Sequence, residues 1–506
     1  MSDLIRPHRR TIALLWLLAS VGLTARAASQ GPLADLDTYV ERVLRDWNAP
    51  GIAVAVVKDD RVVYAKGFGV RRAGTNDPVD AETVFAIAST SKAFTAAALG
   101  MLVDQGLLSW DDRVTDHLEQ FRLWDPYATH ELTIRDLLSH RSGLPRGDRL
   151  WYLSPFDRDE VVRRVRGLEP AWGFRERYGY QNIMFTTAGE VVEAVTDTSW
   201  DAFISHRIFE PLNMRCSSTS IRDLHGHSNV ATPHGRFDGE PGPIIWPNFD
   251  NLGGAGSINS CVRDLAEWMR LQLGEGVYAT DTLLSDSVVQ EMHTPQMIVR
   301  RGREETEMFP ESHFAAYGLG WRLGDYRGRL VVRHGGALDG MRTHVLLVPE
   351  EELGVAAITN VNESRIPQAI VWHVVDRYLG PREKDWNAAY LAAAQRAGEE
   401  AAQAREARER QRQSGTKPTH PLADLAGSYS HPLYGTAVVV QAGETLVIEV
   451  GPHFVGDLEH WHLDTFRATW RNRYLGRAFV GFQLDRTGRV VSVDVEGFGR
   501  FERETP

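Results

Sequence analysis

The pattern of apolar and polar positions divides the chain into four parts. Residues 12–23 are almost continuously apolar, with Arg6, Arg9 and Arg10 before them and Ala25-Arg26-Ala27 after them. That order is expected of an export leader cleaved after residue 27, and the apolar run is short for a membrane span. Leu36, Tyr39, Val40, Val43, Leu44 and Trp47 then recur at the helical period, ended by Asn48-Ala49-Pro50. Residues 52–57 and 62–65 predict a hairpin across the polar turn Lys58-Asp59-Asp60-Arg61. A second helix carries Phe94, Ala97, Ala98, Met101 and Leu102 on one stripe, with Gly106 as its C-terminal cap.

Residues 107–250 predict helices and loops, an inserted helical region. Within it Met184, Ala188, Val191, Val192 and Val195 share a helix face, which places Tyr180 and Asn182 on the preceding loop. Residues 330–333, 343–348 and 355–359 read as strands, with His334-Gly335-Gly336-Ala337 between the first two. Residues 387–413 turn to Ala, Glu, Arg and Gln, with i, i+4 pairs such as Glu406 and Arg410, and predict a solvated helical linker ended by Ser414-Gly415-Thr416-Lys417-Pro418. Short strands at 437–440, 445–450, 466–470, 479–484 and 490–495 then predict a small barrel. The expected organisation is a leader at 1–27, an α/β domain at 28–380, a linker at 381–417 and an all-β barrel at 418–506.

Composition narrows the function. The formal charge is −11, and it grows when the leader's arginines are removed, which argues against nucleic acid as a partner. No stretch beyond the leader is apolar enough to suggest a span, so an exported protein, periplasmic or secreted, is expected. Cys216 and Cys261 admit one disulfide or two free thiols. Metalloprotease spacing and the Gly-Xaa-Ser-Xaa-Gly elbow are both missing, and no metal or cofactor is expected.

Ser89 and Lys92 open the second helix. A serine hydroxyl attacks at neutral pH only beside a base, and a lysine three residues on lies about one turn along the same face. The chain has five lysines, so the pairing is uncommon. Its other instance, Ser414 and Lys417, sits in the charged linker with no apolar helix behind it.

Three stretches together resemble the penicillin-recognising serine hydrolases, in particular the class C β-lactamase and D-alanyl-D-alanine carboxypeptidase branch, peptidase family S12. Ser89-Thr90-Ser91-Lys92, Tyr180-Gln181-Asn182 and His334-Gly335-Gly336 stand in that family's order, and Thr133 to Pro145 and Gly253 to Trp268 extend the likeness over roughly residues 33–380. The resemblance implies an antiparallel sheet flanked by helices, with a helical subdomain beside it and Ser89 in the cleft. Ser89 would form an acyl-enzyme, with Lys92 and Tyr180 managing its proton. Asn182, His334 and Gly336 would meet the substrate, and the N–H groups of Ser89 and Ala337 would form the oxyanion hole. Both candidate bases need perturbed pKa values, and a protonated His334 would help hold Tyr180 as phenolate. The sequence leaves the choice of base open.

His-Gly-Gly replaces the Lys-Thr-Gly of many β-lactamases, which weakens β-lactam hydrolysis and leaves peptidase, amidase and esterase chemistry on a small peptide, amide or ester. The alternative is a penicillin- or peptidoglycan-peptide-binding protein or sensor that acylates once, or merely binds, and does not turn over. The C-terminal part resembles a small lipocalin-like barrel, which would cover the cleft of its own or a neighbouring subunit; a homo-oligomer stays open. His140 is expected to brace its loop, and Trp461 and Trp470 to lie in the barrel core. His460 and His462 would share a face of a strand, where packing or hydrogen bonding is commoner than metal ligation.

Overall fold

The computed structural model describes residues 31–362, 364–380 and 382–504; the leader expected at 1–27 lies outside the described residues. The main sheet contains β1 (Gly51–Lys58), β2 (Arg61–Gly69), β3 (Met297–Ile298), β4 (Ala315–Tyr317), β5 (Arg322–Tyr326), β6 (Arg329–Leu338), β7 (Met341–Val348) and β8 (Leu353–Thr359). Their order is β2-β1-β8-β7-β6-β5-β4-β3, antiparallel throughout. The amino-terminal hairpin thus pairs beside the last strand, and the helical region is inserted between sheet edges.

Helices cover both faces, and β1 shows how its sequence permits this. Side chains alternate across a strand, so Ile52, Val54 and Val56 enter one core with α1 (Leu36–Asp46) and α5 (Ile366–Leu379). Ala53, Ala55 and Val57 enter the other core, with α2 (Ser91–Asp104) and α4 (Val262–Leu273). A strand buried on both faces must be apolar at every position.

The same reasoning revises the reading of α2. Its expected stripe is buried, but so is every residue from Ser91 to Leu102, because the helix runs between the sheet and the inserted helices. A helix apolar all round is a core helix, and periodicity alone does not reveal that. Gly106, at φ 68°, ends it: Leu107 N–H donates to Leu102 O and Gly106 N–H to Val103 O.

The barrel closes eight strands in sequence order, β9 (Gly427–His431), β10 (Gly435–Ala442), β11 (Thr445–Val450), β12 (Phe454–His462), β13 (Thr465–Trp470), β14 (Arg477–Leu484), β15 (Val490–Val495) and β16 (Gly499–Arg503). Trp470 is buried in its core, whereas Trp461, expected there too, is buried on the outer face under Arg412 and Arg467 and beside Phe479. His460 Nε2 bonds Leu463 O, His462 Nδ1 accepts from Gln413 N–H, and an irregularity in the pairing separates the two histidines.

The linker helix α6 (Trp386–Arg410) is exposed along most of its length, but it is tied at both ends. Trp386 and Tyr390 pack in the α1–α5 core, Arg408 pairs with Glu496, and Arg412 donates to His460 O and Trp461 O. The barrel is docked on the α/β domain as well. Arg164 donates to Pro432 O and Leu433 O, and apolar packing continues from the helical region into the barrel core.

Candidate active site

Ser89 sits in a 3-10 turn, Ala88–Thr90, at the mouth of α2. Ala88 is held at φ 52°, a left-handed conformation that a residue with a Cβ seldom adopts. Surrounding contacts impose it. Ser91 Oγ donates to Ala88 O and accepts from Ile258 N–H, and Ile87 N–H donates to Ile258 O. On the other side lies β6. A Cβ on Gly336 would stand 2.1 Å from Ile87 O, so only glycine lets the strand pass this close to the Ser89 turn.

Here the structure corrects the expectation that residues 334–337 connect two strands. They belong to β6, which outruns β5: pairing with β5 stops at Arg333, whereas pairing with β7 continues through Leu338. One side of this overhang therefore faces Ser89, with Ala337 exposed at the cleft.

Lys92 has no exposed surface. Its Nζ lies 3.2 Å from Ser89 Oγ and donates to Asn182 Oδ1 and Ala255 O, each at 2.7 Å. Asn182 is not on the loop, as its sequence context suggested; it is the first residue of α3 (Asn182–Thr196), with Gln181 as the cap. Its Nδ2 donates to Asp148 Oδ1 at 2.9 Å, so each end of the amide keeps one further hydrogen-bonding position for a ligand. The Ala255 carbonyl is brought in by two glycines: Gly253 has φ 49°, and a Cβ on Gly254 would lie 2.8 Å from Phe185 O. Burial, reinforced by the Arg146 charge, pushes the Lys92 pKa well below its ordinary value, with Asp148 opposing.

Tyr180 lines the cleft and its hydroxyl bonds Ser89. Burial raises its pKa, outweighing the Ser89 hydrogen bond and Arg146, whose guanidinium lies 5.0 Å over the Tyr180 ring. The condition under which His334 would hold Tyr180 as phenolate, a protonated ring, is disfavoured. Burial of His334 and the nearby Lys92 lower its pKa to about 3, and its Nε2 is bonded to the Tyr317 hydroxyl at 2.8 Å, so the neutral ring gives Tyr180 no positive charge. His140 braces the loop as expected: fully buried and neutral, its Nδ1 accepts from Gln181 N–H at 3.1 Å, and its ring centroid lies 4.2 Å from that of Tyr180.

The cleft holds about 630 Å³ and is also lined by Arg146, Asp148, Arg149, Trp151, Tyr152 and, from the barrel, Tyr434 and Gly497. Arg146, Asp148, Arg149 and the barrel residues were missed in the sequence. The charged run Arg146 to Arg149, straight after Pro145, was a local signal; nothing local connects Tyr434 or Gly497 to Ser89.

A family model described as Beta-lactamase matches residues 36–376. The chain belongs to the beta-lactamase family. A second match, described as a domain of unknown function (DUF3471), takes in residues 411–504 and hence the barrel. Among relatives of this beta-lactamase-family chain, "Unguisins hydrolase ungD'" of Aspergillus campestris is 30% identical over 79% of this chain and 76% of that protein. "Protein flp" of Staphylococcus aureus is 25% identical over 66% and 64% respectively. In fold, the chain is similar to the octameric penicillin-binding protein homologue from Pyrococcus abyssi, at TM-score 0.63 and 22% identity, with 93% of this chain and 99% of that one covered. Both thiols, Cys216 and Cys261, are free, and they lie away from the cleft-lining residues.

Proposed function

We propose that this chain is an exported serine hydrolase that opens an amide or ester through an acyl-enzyme on Ser89. The observation that carries the reading is the environment of Lys92. A neutral amine has two N–H donors and one lone pair; Asn182 Oδ1 and Ala255 O take both donors, so the lone pair is left for the Ser89 proton. Desolvation favours that neutral form, while the phenol of Tyr180 is held protonated, so Lys92 is the base and Tyr180 a hydrogen-bond donor and proton relay.

Ser89 Oγ attacks the carbonyl as its proton passes to Lys92. The charge that develops on the carbonyl oxygen is met by the N–H groups of Ser89 and Ala337. Lys92 then returns the proton, through Tyr180, to the departing amine or alcohol, and water releases the acyl group. Asn182 meets the substrate with its remaining amide positions, and His334 and Gly336 shape the β6 wall. The small peptide, amide or ester class follows from this chemistry. A relative named as a hydrolase supports turnover over a sensor that acylates once. Export rests on residues 6–27, and the octamer described for the P. abyssi homologue supports a homo-oligomer.

Intact-protein mass spectrometry tests the reading, with an activated ester, a D-alanyl ester and penicillin followed over time. An ester adduct that forms and decays on the wild type, and never forms on Ser89→Ala, is expected. A penicillin adduct that persists, with no ester turnover, would favour the sensor.

A further inference from the structure

The cleft contains two arginines that are held very differently. Arg146 pairs with Asp148 and lies over Tyr180. Arg149 makes no hydrogen bond or ion pair among the described residues, although it is half-buried and lines the same cleft as Ser89. Aromatic rings hold it instead. Its guanidinium lies 5.3 Å from the ring centroid of Tyr152, 4.7 Å from that of Phe454 and 5.0 Å from that of Phe498. The last two belong to the barrel, so the contact joins two domains.

Such stacking satisfies the face of a guanidinium and leaves its in-plane N–H donors unmet. Neighbouring carboxylates are committed elsewhere. Asp148 accepts from Asn182 Nδ2, Trp151 Nε1 and Arg146. Asp339 accepts from the Tyr152 hydroxyl at 2.8 Å and from Tyr474. A half-buried cation whose donors meet no protein partner at the wall of a reactive cleft is available to an entering anion.

We propose that Arg149 is a specificity-determining residue, the centre of a subsite for a carboxylate on the substrate that the barrel completes. The planar fork of the guanidinium matches a carboxylate in two parallel hydrogen bonds, and one free cation suits one negative charge. The barrel is then part of the substrate site. This subsite rests on the reading of Ser89 as nucleophile.

The test uses the full chain and two substrate pairs. In the first, 4-nitrophenyl adipate carries a free carboxylate on the acyl side and its methyl ester is the neutral control. In the second, an acyl thioester leaves as thioglycolate or as methyl thioglycolate. In at least one pair, kcat/KM is expected to favour the carboxylate about tenfold or more, chiefly through KM. Arg149→Gln should bring the ratio close to one, and Arg149→Lys should keep part of it. Because each ratio is taken within one preparation, the amount of folded protein cancels. Labelling of Ser89 by a neutral fluorophosphonate runs in parallel. Labelling with no carboxylate preference in either pair, or a preference that survives Arg149→Gln, overturns the subsite while leaving Ser89 as nucleophile. No labelling removes the nucleophile, and the subsite with it.

Discussion

At the inner end of the cleft Lys92 Nζ has three polar partners within 3.2 Å, with the Tyr180 and Phe185 rings beyond them at 4.9 and 5.4 Å; at the outer end Arg149 is held by three rings and keeps its donors open to the cleft. Burial disfavours the charged form of the inner group, whereas the outer one keeps its charge with no hydrogen bond or ion pair among the described residues. The inner end joins a 3-10 turn, the first turn of α2, the start of α3 and a Gly-Gly turn, pieces up to 163 positions apart but all within the α/β domain. Its outer wall needs residues more than 300 positions apart, such as Arg149 and Phe498, to be brought together by the docked barrel. In the proposed mechanism and subsite, burial thus does opposite work at the two ends: it favours a neutral base at one and leaves an anion receptor at the other.

Substitutions can break this contrast, beginning at the inner end. Lys92→Met should lower kcat for ester hydrolysis by about 10²–10⁴-fold, the range expected for loss of a general base. It also leaves Asn182 Oδ1 and Ala255 O without their donor, so denaturant unfolding should show a loss of about 1–3 kcal/mol. A fold change below tenfold in kcat would place the base elsewhere. Gly336→Ala should act next most strongly. Its methyl group meets Ile87 O, so β6 or the nucleophile turn must shift, with roughly 1–3 kcal/mol lost in stability and at least about tenfold in the rate of Ser89 acylation.

The inner wall should also fail in acid. His334 has an ordinary pKa of 6.5 and a folded value of about 3, and His140 and His344 are shifted the same way by burial. Between these values the unfolded chain binds protons that the folded chain refuses. Stability is therefore full above about pH 6.5 and falls as the pH drops toward 3, by up to about 1.4 kcal/mol per pH unit for each histidine. Urea midpoints measured from pH 7 to 4 check the sign, and a flat profile contradicts it. The smallest effect belongs to the outer wall. Tyr434→Ala should raise kcat/KM for long acyl esters over short ones by about tenfold or less, because it opens the barrel side of the cleft without touching Ser89.

The split between the two ends also explains what could be read from the sequence. Ser89 and Lys92 are legible because helix geometry turns a spacing of three into proximity, and β1, β7 and β8 are legible because strands alternate in a regular way. The polar-turn hairpin at Lys58 to Arg61 is equally local. The charge of His334 was left open because its protonation depends on burial beside Lys92, which sequence spacing does not report. Asn182 was placed on a loop because the apolar stripe of its helix starts only at Met184, although Gln181 caps a helix that Asn182 begins. The strand extension at 334–337 was hidden by its glycines, whose composition signals a turn and whose use here is close approach to Ile87. Three barrel strands, β9, β12 and β16, were missed; their apolar positions are interrupted by polar and charged residues on the solvent face.

The most direct test of the central claim, that burial makes Lys92 the base for Ser89, is the pH dependence of the rate at which a neutral fluorophosphonate labels Ser89. With Lys92 already deprotonated near neutrality, the rate should reach its plateau well below the ordinary lysine pKa of 10.5 and stay level through pH 8 to 9. A rate that keeps climbing with pH toward 10, as an ordinary lysine or tyrosine would give, contradicts it.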